Sequence, residues 1–175
     1  MAAIIKNRQV IADTWQLLKP GADGGLPPMP ADGDVIVPLE LWREQRAALL
    51  LRAGRLGVWL DSHQDPALIA GDLQHFALIA VNFPKLGDGR GYSIGRLLRE
   101  RHGWQGELRA IGYVLRDFLF DLSRCGFDAF ALRVGEDPQA ALSAFGDFSD
   151  GYQTSVDRPQ PLFRRRLAGR HGSAA

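Results

Sequence analysis

Apolar residues in this chain come in short continuous runs, separated by longer stretches in which they recur every three or four positions. That is the pattern of strands alternating with helices. Runs at 35–37, 57–60, 76–81, 107–111 and 129–134 are rich in β-branched and aromatic residues and predict strands. Leu39, Trp42, Arg46, Leu49 and Leu50 keep helical spacing after the first run, and Ile94, Leu97 and Leu98 after the third. Val114, Leu115, Phe118, Leu119, Leu122 and Cys125 do the same after the fourth. Gly103 and Gly126 stand where C-terminal caps belong, and Asp137 before Pro138 reads as an N-cap opening a last helix through Phe145.

This order predicts an α/β fold of about five β/α units on a mostly parallel sheet, either open and doubly wound or part of a barrel. A partial barrel leaves strand edges that proteins pair or cover, so that version predicts a homodimer. Ahead of these units, 2–6 and 9–18 flank Asn7 and Arg8 and predict an N-terminal β-hairpin (1–18), with Trp15 on its second strand. Segment 19–33 holds Pro20, Pro27, Pro28 and Pro30 with four glycines and reads as an irregular linker to a single α/β domain, 34–156. The end, 157–175, reads as a basic, solvated tail.

Charge adds one distinction. Of 21 basic residues, Arg158, Arg164, Arg165, Arg166 and Arg170 lie beyond Asp157, leaving 16 bases against 20 acids in the body. Such a body is a poor match for nucleic acid. The sequence contains no apolar stretch of the roughly 20 residues that spans a bilayer and starts without a long apolar signal, so the expectation is a cytoplasmic protein with no membrane partner. A single cysteine, Cys125, and four histidines without ligand spacing argue against an iron–sulfur cluster, zinc or another metal. Cys125 falls on the apolar stripe of its helix and reads as core.

In parallel β/α folds the ligand edge lies at the carboxyl ends of the strands. The most informative segment there is 84–96, PKLGDGRGYSIGR, which joins the third run to a helix through four glycines. Glycines allow close backbone approach and a helix start offers free N–H groups, so with nearby cations this turn suits a small anion. The candidate anion-binding residues are Asn82, Lys85, Gly87, Gly89, Arg90, Gly91, Ser93 and Arg96. Asp61, His63, Tyr113, Arg116 and Arg133 follow other strands and form the candidate second side. Gly89, Gly91 and Gly95 miss the dinucleotide fingerprint because the third glycine is one residue late, and no phosphate-loop lysine follows. No catalytic residue is assigned.

The segments NFPKLGDGRGYS (82–93), LLRER (97–101), GELRAIG (106–112), VLRD (114–117), RCGFDAF (124–130) and FGDFSDGYQ (145–153) resemble the DUF934 family. Its members are bacterial proteins commonly named as probable oxidoreductases of sulfite reduction. The resemblance implies an accessory protein of sulfate or sulfite assimilation that binds sulfite, a sulfated nucleotide or phosphate, or docks the sulfite reductase hemoprotein. It also admits an oxidoreductase drawing electrons through a bound flavin or through NADP. Two positions depart from the family's pattern: Tyr113 stands where an acid is expected, and Phe118 where an amide is.

Overall fold

The computed structural model describes residues 2–21, 24–151 and 153–165. Among these residues eight strands form one sheet: β1 (Ala3–Lys6), β2 (Gln9–Ala12), β3 (Gln16–Leu17), β4 (Val35–Pro38), β5 (Leu56–Leu60), β6 (Leu78–Phe83), β7 (Glu107–Gly112) and β8 (Ala129–Phe130). Their order is β2-β1-β8-β7-β6-β5-β4-β3, and every pair from β3 to β8 is parallel. The hairpin β1–β2 joins β8 antiparallel. Strands β4 to β8 follow one another across the sheet without the reversal that a doubly wound sheet requires, so the fold is the partial barrel of the two alternatives.

Side-chain alternation confirms a sheet wound in one direction. Val35, Val37, Val58, Leu60, Ile79, Val81, Leu108, Ala110 and Phe130 point to the main core. There they meet helices α1 (Leu39–Leu51), α2 (Arg90–Glu100), α3 (Leu119–Arg124) and α4 (Pro138–Ala141) through Trp42, Leu98, Leu122 and Ala141. The intervening residues Ile36, Leu78, Ala80 and Ile111 face the other way and pack with Trp15, Leu17, Trp59 and Ala131, none from a helix. Helices therefore cover one face, and the sheet curls around the second.

The chain between β2 and β3 shows how far it curls. Laid flat, the outermost of eight strands would stand about 34 Å apart. Four residue steps from Ala12 to Gln16 reach only about 14 Å. The connection crosses the concave side, dropping Trp15 into it. Asp13 turns the chain, its carboxylate accepting from Trp15 N at 3.2 Å, and then binds Arg109 of β7 at 3.0 and 3.1 Å. Arg109 is 2% exposed and also reaches Glu107, which in turn pairs with Lys6 at 2.7 Å. Four charges thus fasten the hairpin and the crossing segment to the middle of the sheet.

Several sequence boundaries change. The hairpin's second strand stops at Ala12, so Trp15 is not on it, because Asp13 redirects the chain. The third predicted strand starts at Leu78, since a 3₁₀ helix, Pro66–His75, capped by Asp65, runs up to Phe76. The fifth ends at Phe130, as Arg133 N donates to Val114 O at 2.9 Å and draws the chain off the sheet. The helix read from Val114 onward begins only at Leu119, after a 3₁₀ turn, Arg116–Phe118. The turn at Asn7 and Arg8 stands as read, with φ of 49° and 61°. Gly103 and Gly126 take the left-handed cap conformation at φ 67° and 97°, and Asp137 caps α4 by accepting from Gln139 N at 2.9 Å. In the tail, Arg158 and Arg165 both bind Asp150, while 166–175 lie outside the described residues.

Candidate functional site

At the carboxyl ends of β5 and β6, a chain of polar side chains links the two strands. Asp61, just past β5, accepts from Asn82 Nδ2 at 3.0 Å and from Ser62 N at 2.8 Å. Its other oxygen lies 3.4 Å from His63 Nδ1, and its own N–H donates to Gln64 at 2.7 Å. Asn82 therefore spans neighbouring strands, and it leaves no space at Gly112, where a Cβ would come within 2.4 Å of Asn82 Oδ1 and 2.5 Å of Phe83 O. With φ at 90°, that position requires glycine on both counts.

The glycine loop supplies its own anion. Asp88, nearly buried, accepts from Arg90 Nε at 2.9 Å and Nη2 at 2.6 Å and from Ser62 Oγ at 2.9 Å. Arg90 closes the triangle by donating to Ser62 Oγ at 2.8 Å. Hydrogen bonds from Arg90, joined by one from Ser62, hold the Asp88 carboxyl well below the usual carboxylate range. The start of α2 thus already faces a negative charge, with Arg90 N 3.3 Å from Asp88 Oδ1. Asp88 and Ser62 were missing from the sequence-derived set. The signal that could have found Asp88 is the preference for aspartate just ahead of a helix.

Other predicted residues separate. Gly91 is buried against the Phe83 ring and serves the packing of α2 on β6. Ser93 is exposed on α2, and Arg96 lies a turn further on, paired with Glu100 at 2.9 Å. Tyr113 and Arg133 come together, the Arg133 guanidinium 4.8 Å above the ring and its Nη1 donating to the phenol oxygen at 2.6 Å. Arg116 turns away toward Asp147 at 2.8 Å and Ser143 at 3.2 Å.

Lys85, Gly87, Gly89 and the Arg90-paired Asp88 border a hollow of about 260 Å³ whose remaining wall is apolar or aromatic: Phe83, Leu86, Tyr92 and Phe118. Phe83 and Tyr92 meet edge to face at 5.5 Å. Burial pushes the Tyr92 phenol up to about 12, so it remains a neutral hydrogen-bond donor. Lys85 is exposed at the rim and makes no ion pair among the described residues. Elsewhere, burial raises the Cys125 thiol above its ordinary value, as befits a residue packed against the core. Among the described residues, no three histidine, cysteine, aspartate or glutamate side chains cluster to hold a metal ion, and no helix is long and apolar enough to cross a membrane.

Residues 57–163 match the family model described as a bacterial protein of unknown function (DUF934). The chain belongs to that family. The DUF934 match begins within β5 and takes in the glycine loop, the aromatic hollow and Asp150 with Arg158, and it ends before Arg165. No curated protein and no solved structure matched the chain. Both positions expected to depart from the family's pattern fall on this edge: Phe118 forms part of the hollow's wall, and Tyr113 carries Arg133.

Proposed function

We propose that this protein is an accessory component of sulfite reduction that binds a ligand joining a planar ring to an anionic group, at the hollow beside the glycine loop. The observation that carries this is the pairing of an aromatic wall, Phe83, Tyr92 and Phe118, with the ammonium of Lys85 at its rim, which has no ion-pair partner among the described residues. Bare sulfite or phosphate gains nothing from aromatic rings, and Arg90 is already neutralised by Asp88. A sulfated nucleotide uses both halves: its base fills the hollow and its charged end meets Lys85. The link to sulfite reduction rests on the resemblance to the family's commonly given name.

The same wall also suits the ring of a flavin or nicotinamide, which supports the oxidoreductase reading as the second choice. Calorimetric titration with a sulfated adenine nucleotide, inorganic sulfite, NADP and free flavin separates them. The expected result is saturable nucleotide binding, tighter than sulfite and weakened at least fivefold by Lys85→Ala. A flavin spectrum in the purified protein, or NADP as the tightest ligand, moves the assignment to the oxidoreductase. If none binds and the hemoprotein reductase still co-purifies, the role is docking alone; if that fails as well, the proposal falls.

A further inference from the structure

A second concavity lies at the opposite end of the sheet. Asn7 N donates to Asp128 O at 2.8 Å, one residue before β8, so the hairpin turn sits at the amino end of that strand. Beside it a partly open cavity of about 240 Å³ is walled by Arg8, Arg124 and Arg158 together with the rings of Phe120, Phe145 and Phe148. Asp150 and Asp157 also line it. Asp150 is fully engaged: Arg165 holds it at 2.8 and 2.9 Å and Arg158 binds it as well. Asp157 forms an ion pair with Arg124 Nε at 3.6 Å, a separation too long for a hydrogen bond.

Two donors are consequently left over. Arg124 Nε is buried without a hydrogen-bond partner among the described residues, while Arg124 Nη2 holds Gln153 O. Arg8 has the face of Phe145 at 5.5 Å, and no carboxylate, as its partner among the described residues. Arg8 also holds a left-handed backbone at φ 61°, in a two-residue hairpin turn where glycine is the favoured choice. A side chain is kept there against local preference, which points to a use for it.

We infer that this cavity binds a sulfuryl or phosphoryl oxyanion through the guanidinium of Arg8 and the Nε–H of Arg124. Guanidinium groups form charge-assisted, often paired hydrogen bonds to such oxygens, and a buried N–H without an acceptor calls for one. At roughly 30 Å³ per water, the volume exceeds what one oxyanion fills, so the group fits either free or as a small ester whose organic part contacts the phenylalanine rings. The site is separate from the hollow at the carboxyl edge and does not depend on it.

The test is calorimetry on the full chain at fixed ionic strength, against sodium sulfate, sulfite and phosphate and against 4-nitrophenyl sulfate and phosphate. One saturable site is expected, weakened at least tenfold by Arg8→Gln and left unchanged by Lys85→Ala. Tighter binding of an ester assigns an esterified ligand; tighter binding of the inorganic ion assigns the free one. Arg124→Gln is read beside its thermal unfolding, because Arg124 also holds the chain at Gln153. Arg8 has only the Phe145 ring to lose, so its variant tests the site without disturbing the fold. Absence of saturable binding, or affinity that survives Arg8→Gln but is lost in Lys85→Ala, overturns the site.

Discussion

Replacing Arg109 by methionine tests the argument that buried charges hold the curled sheet together. The substitution keeps a long side chain of similar reach and deletes the cation. Arg109 is 2% exposed and donates to Glu107 Oε1 from Nε at 2.8 Å and to both oxygens of Asp13 at 3.0 and 3.1 Å. Methionine leaves two carboxylates facing each other's neighbourhood, with side chains only 7% and 16% exposed. Breaking a buried pair from one side costs about 3–5 kcal/mol. Lys6 remains on Glu107 at 2.7 Å, which places the loss near the lower end, about 3 kcal/mol. For a domain of this size that corresponds to a drop in Tm of about 6–12 °C. Urea unfolding followed by tryptophan fluorescence suits the measurement, because Trp15 and Trp59 lie in the concave layer beside the network. Asp13→Asn combined with Arg109→Met should cost less than the two single changes together, by about 1 kcal/mol or more. A loss below about 1 kcal/mol for Arg109→Met, or strict additivity with Asp13→Asn, refutes the idea that this network fastens the crossing segment.

Other outcomes follow from the same geometry. Gly112→Ala should lower stability by more than about 2 kcal/mol, since its Cβ meets Asn82 and Phe83 and its φ is left-handed; an unchanged urea midpoint contradicts this. Asp150, lowered to about 2 by hydrogen bonds from Arg165 and then Arg158, contributes stability that is complete above the unfolded value near 3.8 and lost as pH falls toward 2. Asp150→Asn should therefore flatten part of the acid unfolding curve between those limits, and an identical curve rejects that role. Phe118→Gln should weaken ligand binding at the carboxyl-edge hollow several-fold while the Tm shifts little, because Phe118 is only partly buried; unaltered binding removes the ring from the site. The outer edge of β2, Gln9–Ala12, carries neither charge nor proline, so light scattering should find a homodimer that Val10→Pro converts to monomer; a wild-type monomer dismisses pairing there.

Much of the fold was legible because it depends on local rules. Strands β4 to β7 were found within one to two residues by their apolar runs, and Asp137-Pro138 and Gly126 marked their helix ends. The curl was not legible, because it depends on which strands become neighbours. Nothing in the spacing of Trp15 and Gln16 says that a strand begun at one edge resumes at the other; the decision rests on Asp13 finding Arg109, 96 residues away. The candidate site divides in the same way. Charge sign and loop position drew attention to Arg90, yet the partner that neutralises it, Asp88, sits two residues earlier in the same loop. A list of cations read from sequence overstates free positive charge wherever an acid can fold back onto one. Phe118 entered as part of a helical stripe and as a departure from a family pattern, and its place in the hollow required the fold.

The concave side explains why both proposed sites lie at the ends of the sheet. A wider barrel could hold a ligand in its interior, but here Trp15, Leu17 and Trp59 fill that space and the Lys6–Glu107–Arg109–Asp13 chain occupies its amino end. Trp59 Nε1 donates to Leu18 O at 2.9 Å, tying the filling to the far edge of the sheet. With the interior occupied and one face covered by helices, the loops at the two ends of the strands are the surfaces left to vary. They differ in chemistry for a topological reason. The carboxyl end gathers strand-to-helix turns, where backbone and short polar side chains meet aromatic packing from α2. The amino end gathers the hairpin turn, the end of α3 and Asp150, Gly151, Asp157 and Arg158, and so collects arginines from three distant parts of the chain. A ligand held by Arg8 and Arg124 would bridge the first ten residues to α3, coupling anion binding to the seating of the N-terminal hairpin on β8.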